Sequence, residues 1–128
     1  MTDADLDAAH PKRIVVVEDD EQLNELVVHF LVDRGFQVAN ALDGHKAMEL
    51  VETGDFDAVL LDLNLPGIDG RTVLAEMHER WPDLPAIVLS GAVTGADDEL
   101  LTKAGARAVV PKPVKLDELA RTIEALIA

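Results

Sequence analysis

The chain has 128 residues, 48% of them hydrophobic, which suits one domain built on a single continuous core. Its 11 basic against 25 acidic side chains leave a formal charge of −14, which disfavours nucleic acid or an anionic membrane surface as the main partner and suits cations or basic protein patches. Cysteine is absent, so disulfides and thiolate metal sites are excluded, and a reducing cytoplasm is compatible with the composition.

The opening MTDADLDAAHP has neither the apolar segment nor the basic start of a signal or transit peptide, and no apolar run approaches membrane-spanning length. Residues 1 to 11 read as a solvated acidic tail and 12 to 128 as the folded, soluble part. Ile14 to Val17 is a β-branched run suited to a strand covered on both faces. It stops at Glu18-Asp19-Asp20, acids able to cap a helix in which Leu23, Leu26, Val27, Phe30 and Leu31 recur at helical spacing, and Gly35 supplies the stop. Phe36 to Ala39 is a weak second strand, followed after Asp43 by a helix on Ala47, Leu50 and Val51 that ends at Gly54.

The third strand, Ala58 to Leu61, is wholly apolar yet ends on Asp62. Pro66-Gly67 and Asp69-Gly70 then make a loop, and the next helix turns Val73, Leu74 and Met77 inward before stopping near Pro82. Ala86 to Leu89 form a fourth strand that ends at Ser90-Gly91, and a helix spans about Asp97 to Ala104. Ala108 to Val110 make a short fifth strand ending at Pro111-Lys112-Pro113. The last helix, entered at Asp117, places Leu116, Leu119, Ile123 and Leu126 along one stripe.

Five strands alternating with five helices imply right-handed βαβ units and a mostly parallel sheet covered on both faces, a doubly wound α/β fold. Pro111 fits a fifth strand at the sheet edge, where a missing backbone donor costs little. Ligands in such sheets sit outside the carboxyl ends of the strands. The residues there are Glu18, Asp19, Asp62, Ser90 and Lys112. Carboxylates brought to about 4 Å repel by about 4 kcal/mol per pair at an effective dielectric of about 20, and a divalent cation relieves that repulsion. The available ligands are oxygens, including water and backbone carbonyls near Asn64, and they suit Mg²⁺ or Mn²⁺ over zinc. Lys112 adds an ammonium able to pair with a phosphate or a carboxylate, and Ser90 a hydroxyl donor. A carboxylate nucleophile, a cation, a lysine and a hydroxyl are suited to moving a phosphoryl group onto Asp62.

The stretches VVVEDD, DAVLLDLNLPGIDG, IVLSG and VVPKP, in that order on successive strands, resemble the motifs of response-regulator receiver domains over about residues 12 to 128. The resemblance implies a flavodoxin-like five-stranded sheet of order 2-1-3-4-5. It implies Asp62 as phosphoacceptor from a histidine kinase or histidine phosphotransferase, and Glu18, Asp19, Asp62 and the Asn64 carbonyl as ligands of Mg²⁺. Ser90 and Lys112 then hold phosphoryl oxygens, with the Lys112-Pro113 bond cis. It also implies a cytoplasmic signalling protein that is not an enzyme in the ordinary sense, though it assists its own phosphorylation and dephosphorylation. Partner docking is expected on the face of the fourth helix, fifth strand and fifth helix, which carries Asp97, Asp98, Glu99, Lys103, Arg107 and Arg121. With nothing after Ala128, the signal is expected to pass to a separate protein, or the chain is an excised piece. Val109 stands where such domains commonly carry an aromatic whose rotation accompanies phosphorylation, so a blunted switch is expected.

Each residue has a plainer reading taken singly. The three acids can be a helix N-terminus, Ser90 a turn residue and Lys112 a surface charge. His10, His29, His45 and His78 show no metal-ligand spacing, and Trp81 reads as packing. DAVLLDLN also resembles the nucleophile strand of haloacid-dehalogenase-type phosphatases, but these place a general acid where Asn64 stands and carry the motif on their first strand. A phosphate-independent pseudo-receiver is disfavoured by the complete acid, serine and lysine set. An FMN-binding flavodoxin is disfavoured by the acidic first turn, which repels phosphate.

Overall fold

The computed structural model describes residues 11–91 and 95–127, with the side chains of residues 95–98 outside the described set. Of the tail expected over residues 1 to 11, all but Pro11 lies outside the described residues, as do the side chains of Asp97 and Asp98. Five strands, β1 (Arg13–Val17), β2 (Gln37–Ala41), β3 (Ala58–Asp62), β4 (Ala86–Ser90) and β5 (Ala106–Pro111), alternate with five helices. The helices are α1 (Glu21–Asp33), α2 (Gly44–Thr53), α3 (Gly70–Arg80), α4 (Gly95–Lys103) and α5 (Leu116–Ile127). All strand pairs are parallel and the order is β2-β1-β3-β4-β5, as the resemblance implied, with Pro111 on an edge strand.

Alternation along the strands divides the core in two. Val15, Val17, Val59, Leu61 and Val88 face one side, where Ala47 and Val51 of α2, Val73, Leu74 and Met77 of α3 and Leu101 of α4 cover them. Ile14, Val16, Leu60, Ile87 and Leu89 face the other side, beneath Val27 and Leu31 of α1 and Leu119 and Ile123 of α5. Right-handed crossovers produce this division, because the winding runs from β1 outward to β2, then reverses through β3 to β5, and reversal moves the helices to the opposite face. The reversal opens a crevice between the carboxyl ends of β1 and β3, where the unpaired ends of the loops diverge.

Two boundaries depart from the periodicity. β2 starts one residue later than expected and runs to Ala41, because the Phe36 N–H is taken by the Leu31 carbonyl at 3.1 Å while Gln37 to Ala41 pair in register with Arg13 to Val17. Gly35, at φ +97°, turns the chain out of α1 so that this bond can form. On α1 the buried line is Asn24, Val27 and Leu31, spaced three and four residues apart, whereas Leu26 is 54% exposed. Leu23, Val27, Phe30 and Leu31 of the expected stripe face the core, Leu26 alone turns outward, and a polar residue, Asn24, occupies a core position.

Removing atoms from the middle of the sheet should cost far more than breaking a surface pair. Leu60→Ala is expected to lower stability by about 2–5 kcal/mol in urea unfolding. Glu124→Gln, which removes the exposed Arg34–Glu124 bridge between α1 and α5, is expected to cost less than about 1 kcal/mol. The reverse ranking would contradict a sheet-centred core.

Candidate functional site

Glu18 leaves β1 fully buried, its N–H bonded to the Ala41 carbonyl at 3.1 Å. Asp19 beside it is exposed. Asp20 takes the capping role, its Oδ1 accepting from the N–H groups of Gln22 at 3.0 Å and Leu23 at 3.2 Å. The plainer reading of the acidic run thus holds for Asp20 alone, and the side chains of Glu18 and Asp19 point elsewhere. Asp62 closes β3 and is 1% exposed, its Oδ1 accepting the Asn64 N–H at 3.2 Å.

Lys112 reaches across from the end of β5. Its Nζ lies 2.7 Å from Glu18 Oε1 and 3.2 Å from Asp62 Oδ2. Its backbone N–H bonds the Ser90 carbonyl at 2.8 Å, which joins the loops after β4 and β5, and the Lys112–Pro113 peptide is cis. Because Asp62 lies beside Leu89 in the β3–β4 register, Ser90 stands one residue beyond it along β4, and it is almost buried. Asn64 is exposed in the loop after β3. Thus Glu18, Asp19, Asp62 and Lys112 converge, with Ser90 at the end of β4 and Asn64 on the loop after β3.

The electrostatics follow from burial. Glu18 is pushed up to about 7, first by desolvation and then by the neighbouring Asp62 carboxylate, against the opposing pull of Lys112. Burial also acts to raise Asp62, but its polar contacts with neighbouring Glu18, the Asn64 N–H and Lys112 overcome it and hold the carboxyl below its usual value. Lys112 is raised by its two carboxylate partners despite burial.

Glu18, Asp19 and Asp62 each offer a carboxylate oxygen within 4.8 Å of the others. Glu18 Oε2 is buried with no hydrogen-bond partner among the described residues, an orphan that a cation or its water would satisfy. The donors are all hard oxygens, so the residues present fit Mg²⁺ or Mn²⁺. Gly70 closes the floor. Its N–H bonds the Leu63 carbonyl at 3.1 Å, and a Cβ there would come within 2.6 Å of the Asp62 carbonyl oxygen, so the start of α3 packs on the strand end only as glycine.

Two features beside this site were not singled out from the sequence. Asn24, whose Nδ2 donates to the Glu18 carbonyl at 3.0 Å, stands out as the polar residue on the line of Val27 and Leu31, while the close approach of Gly70 is hidden because a glycine in a turn needs no such contact. His29, His45 and His78 are exposed and outside the carboxylate cluster, whereas His10 lies outside the described residues. Val109 is half-buried against the α2–α3 side of the core, and Trp81 packs there too. A cavity of about 670 Å³, bordered by Lys12, Arg13, Asp55, Phe56 and Trp81, lies at the opposite, amino end of the strands, remote from the carboxylates.

A family model for the response regulator receiver domain matches residues 14–124. The chain is 39% identical over 124 residues to the transcriptional regulatory protein TcrA of Mycobacterium tuberculosis, covering 89% of this chain and 45% of that protein. It is 35% identical over 117 residues to the response regulator MprA of Mycolicibacterium vanbaalenii, covering 91% of this chain and 51% of that protein. The chain therefore spans about half the length of these curated relatives. Among solved structures, the response regulator protein TrrA of Thermotoga maritima, in complex with Mg²⁺ and BeF, superposes with a TM-score of 0.82 at 32% identity over 91% of this chain and 99% of that one. A CheY-like receiver domain protein from Methanospirillum hungatei gives 0.85 at 27% identity over 90% and 92%. No helix among the described residues is long and apolar enough to cross a membrane.

The raised Glu18 value fixes the sign of a pH effect. Between its ordinary value of 4.5 and about 7 the folded state holds a proton that the unfolded state has lost, so stability falls as pH rises through that window. Metal-free protein should lose about 1–3 kcal/mol on this account. Asp62, lowered, acts with the opposite sign only in acid below its ordinary value of 3.8. Thermal unfolding should show Tm dropping between pH 5 and pH 8, Mg²⁺ restoring it mainly at pH 8, and Glu18→Gln flattening the profile. A flat wild-type profile would contradict the buried protonated acid.

Proposed function

Since the chain belongs to the response regulator receiver domain family of two-component systems, we propose that Asp62 accepts a phosphoryl group from a histidine kinase or histidine phosphotransferase. The observation that carries this reading is the Lys112 Nζ bridge between Glu18 and Asp62, which presents a buried, ionised carboxylate beside a cation at the mouth of the sheet. Receiver domains are signalling phosphoacceptors rather than ordinary enzymes, and the donor's chemistry does part of the work.

Glu18, Asp19, Asp62 and the Asn64 carbonyl would hold Mg²⁺, which when bound offsets the negative charge of the carboxylates and of the phosphoryl oxygens. An Asp62 carboxylate oxygen attacks phosphorus in line, forming a P–O bond as the P–N bond to the donor imidazole breaks, and the imidazole keeps the electron pair and takes up a proton. Lys112, no longer required by Glu18, turns its ammonium to a phosphoryl oxygen, and the Ser90 hydroxyl donates to another. Phosphate on Asp62 thereby draws on the loops after β4 and β5, which the Lys112 N–H to Ser90 carbonyl bond already couples.

The consequence is a changed surface on α4, β5 and α5, where Glu99, Lys103, Arg107 and Arg121 are exposed, for a downstream protein or a further part of the same polypeptide. Val109 offers no aromatic ring to rotate there, so the switch is blunted. The compartment proposed is the cytoplasm, and neither nucleic acid nor membrane is proposed as a partner of this domain, whose charge is −14.

Incubation with acetyl phosphate and Mg²⁺, followed by intact mass spectrometry, should add one phosphoryl group. The adduct should vanish without metal and in Asp62→Asn. Lys112→Ala should slow its formation by about 10²-fold, the scale of removing one group that stabilises transition-state charge. Absence of an adduct from both acetyl phosphate and a phosphorylated histidine phosphotransferase, with no Mg²⁺ binding, would overturn this function in favour of a phosphate-independent interaction module.

A further inference from the structure

Asn24 is the one buried polar residue of α1, and the phosphoryl transfer proposed above does not use it. Its Nδ2 donates to the Glu18 carbonyl at 3.0 Å and to the Ala41 carbonyl at 3.3 Å, and its Oδ1 accepts from Asn40 Nδ2 at 3.0 Å. Both backbone partners are acceptors only, so the amide has a single orientation that satisfies them, with Oδ1 turned to Asn40. The Glu18 N–H donates to the same Ala41 carbonyl at 3.1 Å. The ends of β1 and β2 and the first turn of α1 are thus tied at one place, and that place is the backbone of Glu18.

An apolar side chain would fill this helix position without any requirement for partners, whereas a buried amide costs stability unless it is bonded. What the amide adds is orientation. Beyond Val17 the chain leaves the β1 strand, and the peptide that follows Glu18 must aim one side chain into the crevice while carrying the next, Asp19, to its rim. With Asn24 holding the Glu18 carbonyl, rotation of that peptide is blocked from the helix side.

We propose that Asn24 is a positioning residue for the cation site, acting through the backbone of Glu18 and Asp19 and touching neither metal nor phosphate. The inference rests on the reading of Glu18 and Asp19 as metal ligands. Outer partners of metal ligands are commonly worth about 10–100-fold in affinity, and the lower end suits a contact made through the backbone. Asn40, on the exposed side, steadies the amide and should act in the same direction more weakly.

The test uses the full chain with Asn24→Leu, Asn24→Ala, Asn40→Ala and, as a control for simple destabilisation, Val27→Ala one turn further along α1. Mg²⁺ titration followed by amide NMR should show about tenfold weaker binding in both Asn24 variants, a smaller loss in Asn40→Ala and unchanged binding in Val27→Ala. In metal-free protein, the Glu18 amide should exchange faster in the Asn24 variants relative to the Ile123 amide in α5. Unchanged Mg²⁺ affinity in the Asn24 variants, or an equal loss in Val27→Ala, would overturn the proposal and leave the metal site intact. Should Asn24→Leu and Asn24→Ala fail to fold, unchanged affinity in Asn40→Ala would overturn it. Failure of the wild type itself to bind Mg²⁺ would overturn both this inference and the reading beneath it.

Discussion

A half-buried lysine ammonium between two buried carboxyl groups organises this molecule. Lys112 comes from the last strand, Asp62 from the central one and Glu18 from its neighbour, so the contact closes the carboxyl edge of the sheet across three of its five strands. Left unpaired, any of the three charges would be costly in such a place. Together they are paired through Lys112 Nζ. That pairing is also what makes the site responsive, because a divalent cation or a phosphoryl group changes the charge balance and obliges Lys112 to choose a new partner.

The fold supplies rigidity to this arrangement from below. Glu18 and Asp62 follow strands that are covered on both faces, and neither strand end can shift without disturbing the packing of Val17 against Leu61 or of the helices above and below them. Support from the sides comes from small features: the cap at Asp20, the amide of Asn24 and the close approach of α3 at Gly70. The ends of β4 and β5 are linked to each other through the Lys112 N–H and the Ser90 carbonyl.

Much of this was legible in the sequence, for physical reasons that differ from element to element. β1, β3 and β4 are unbroken apolar runs, and only a strand buried on both faces favours such runs, so their existence and parallel pairing followed directly. Asp62 stood out because an apolar strand has no use for a terminal carboxylate. β2 was weak because it is an edge strand whose pattern is half polar, and its start was displaced by a hydrogen bond that closes α1. Leu26 was misplaced for a related reason: apolar spacing gives the period of a helix, while its rotation is decided by tertiary contacts, here the burial of Val27 and Leu31 against the sheet. Which of three consecutive acids would cap the helix and which would enter the site was likewise invisible until backbone geometry assigned Asp20 to the cap.

The most direct test of the site is a structure determined with Mg²⁺ and beryllium fluoride, which mimics a phosphoryl group on a carboxylate. The arrangement described here requires the fluoride group on an Asp62 oxygen, the cation among Glu18, Asp19, Asp62 and the Asn64 carbonyl, and Lys112 Nζ moved from Glu18 to a fluorine. Beryllium fluoride bound elsewhere, or Lys112 still bridging Glu18 and Asp62 beside an empty crevice, would contradict it.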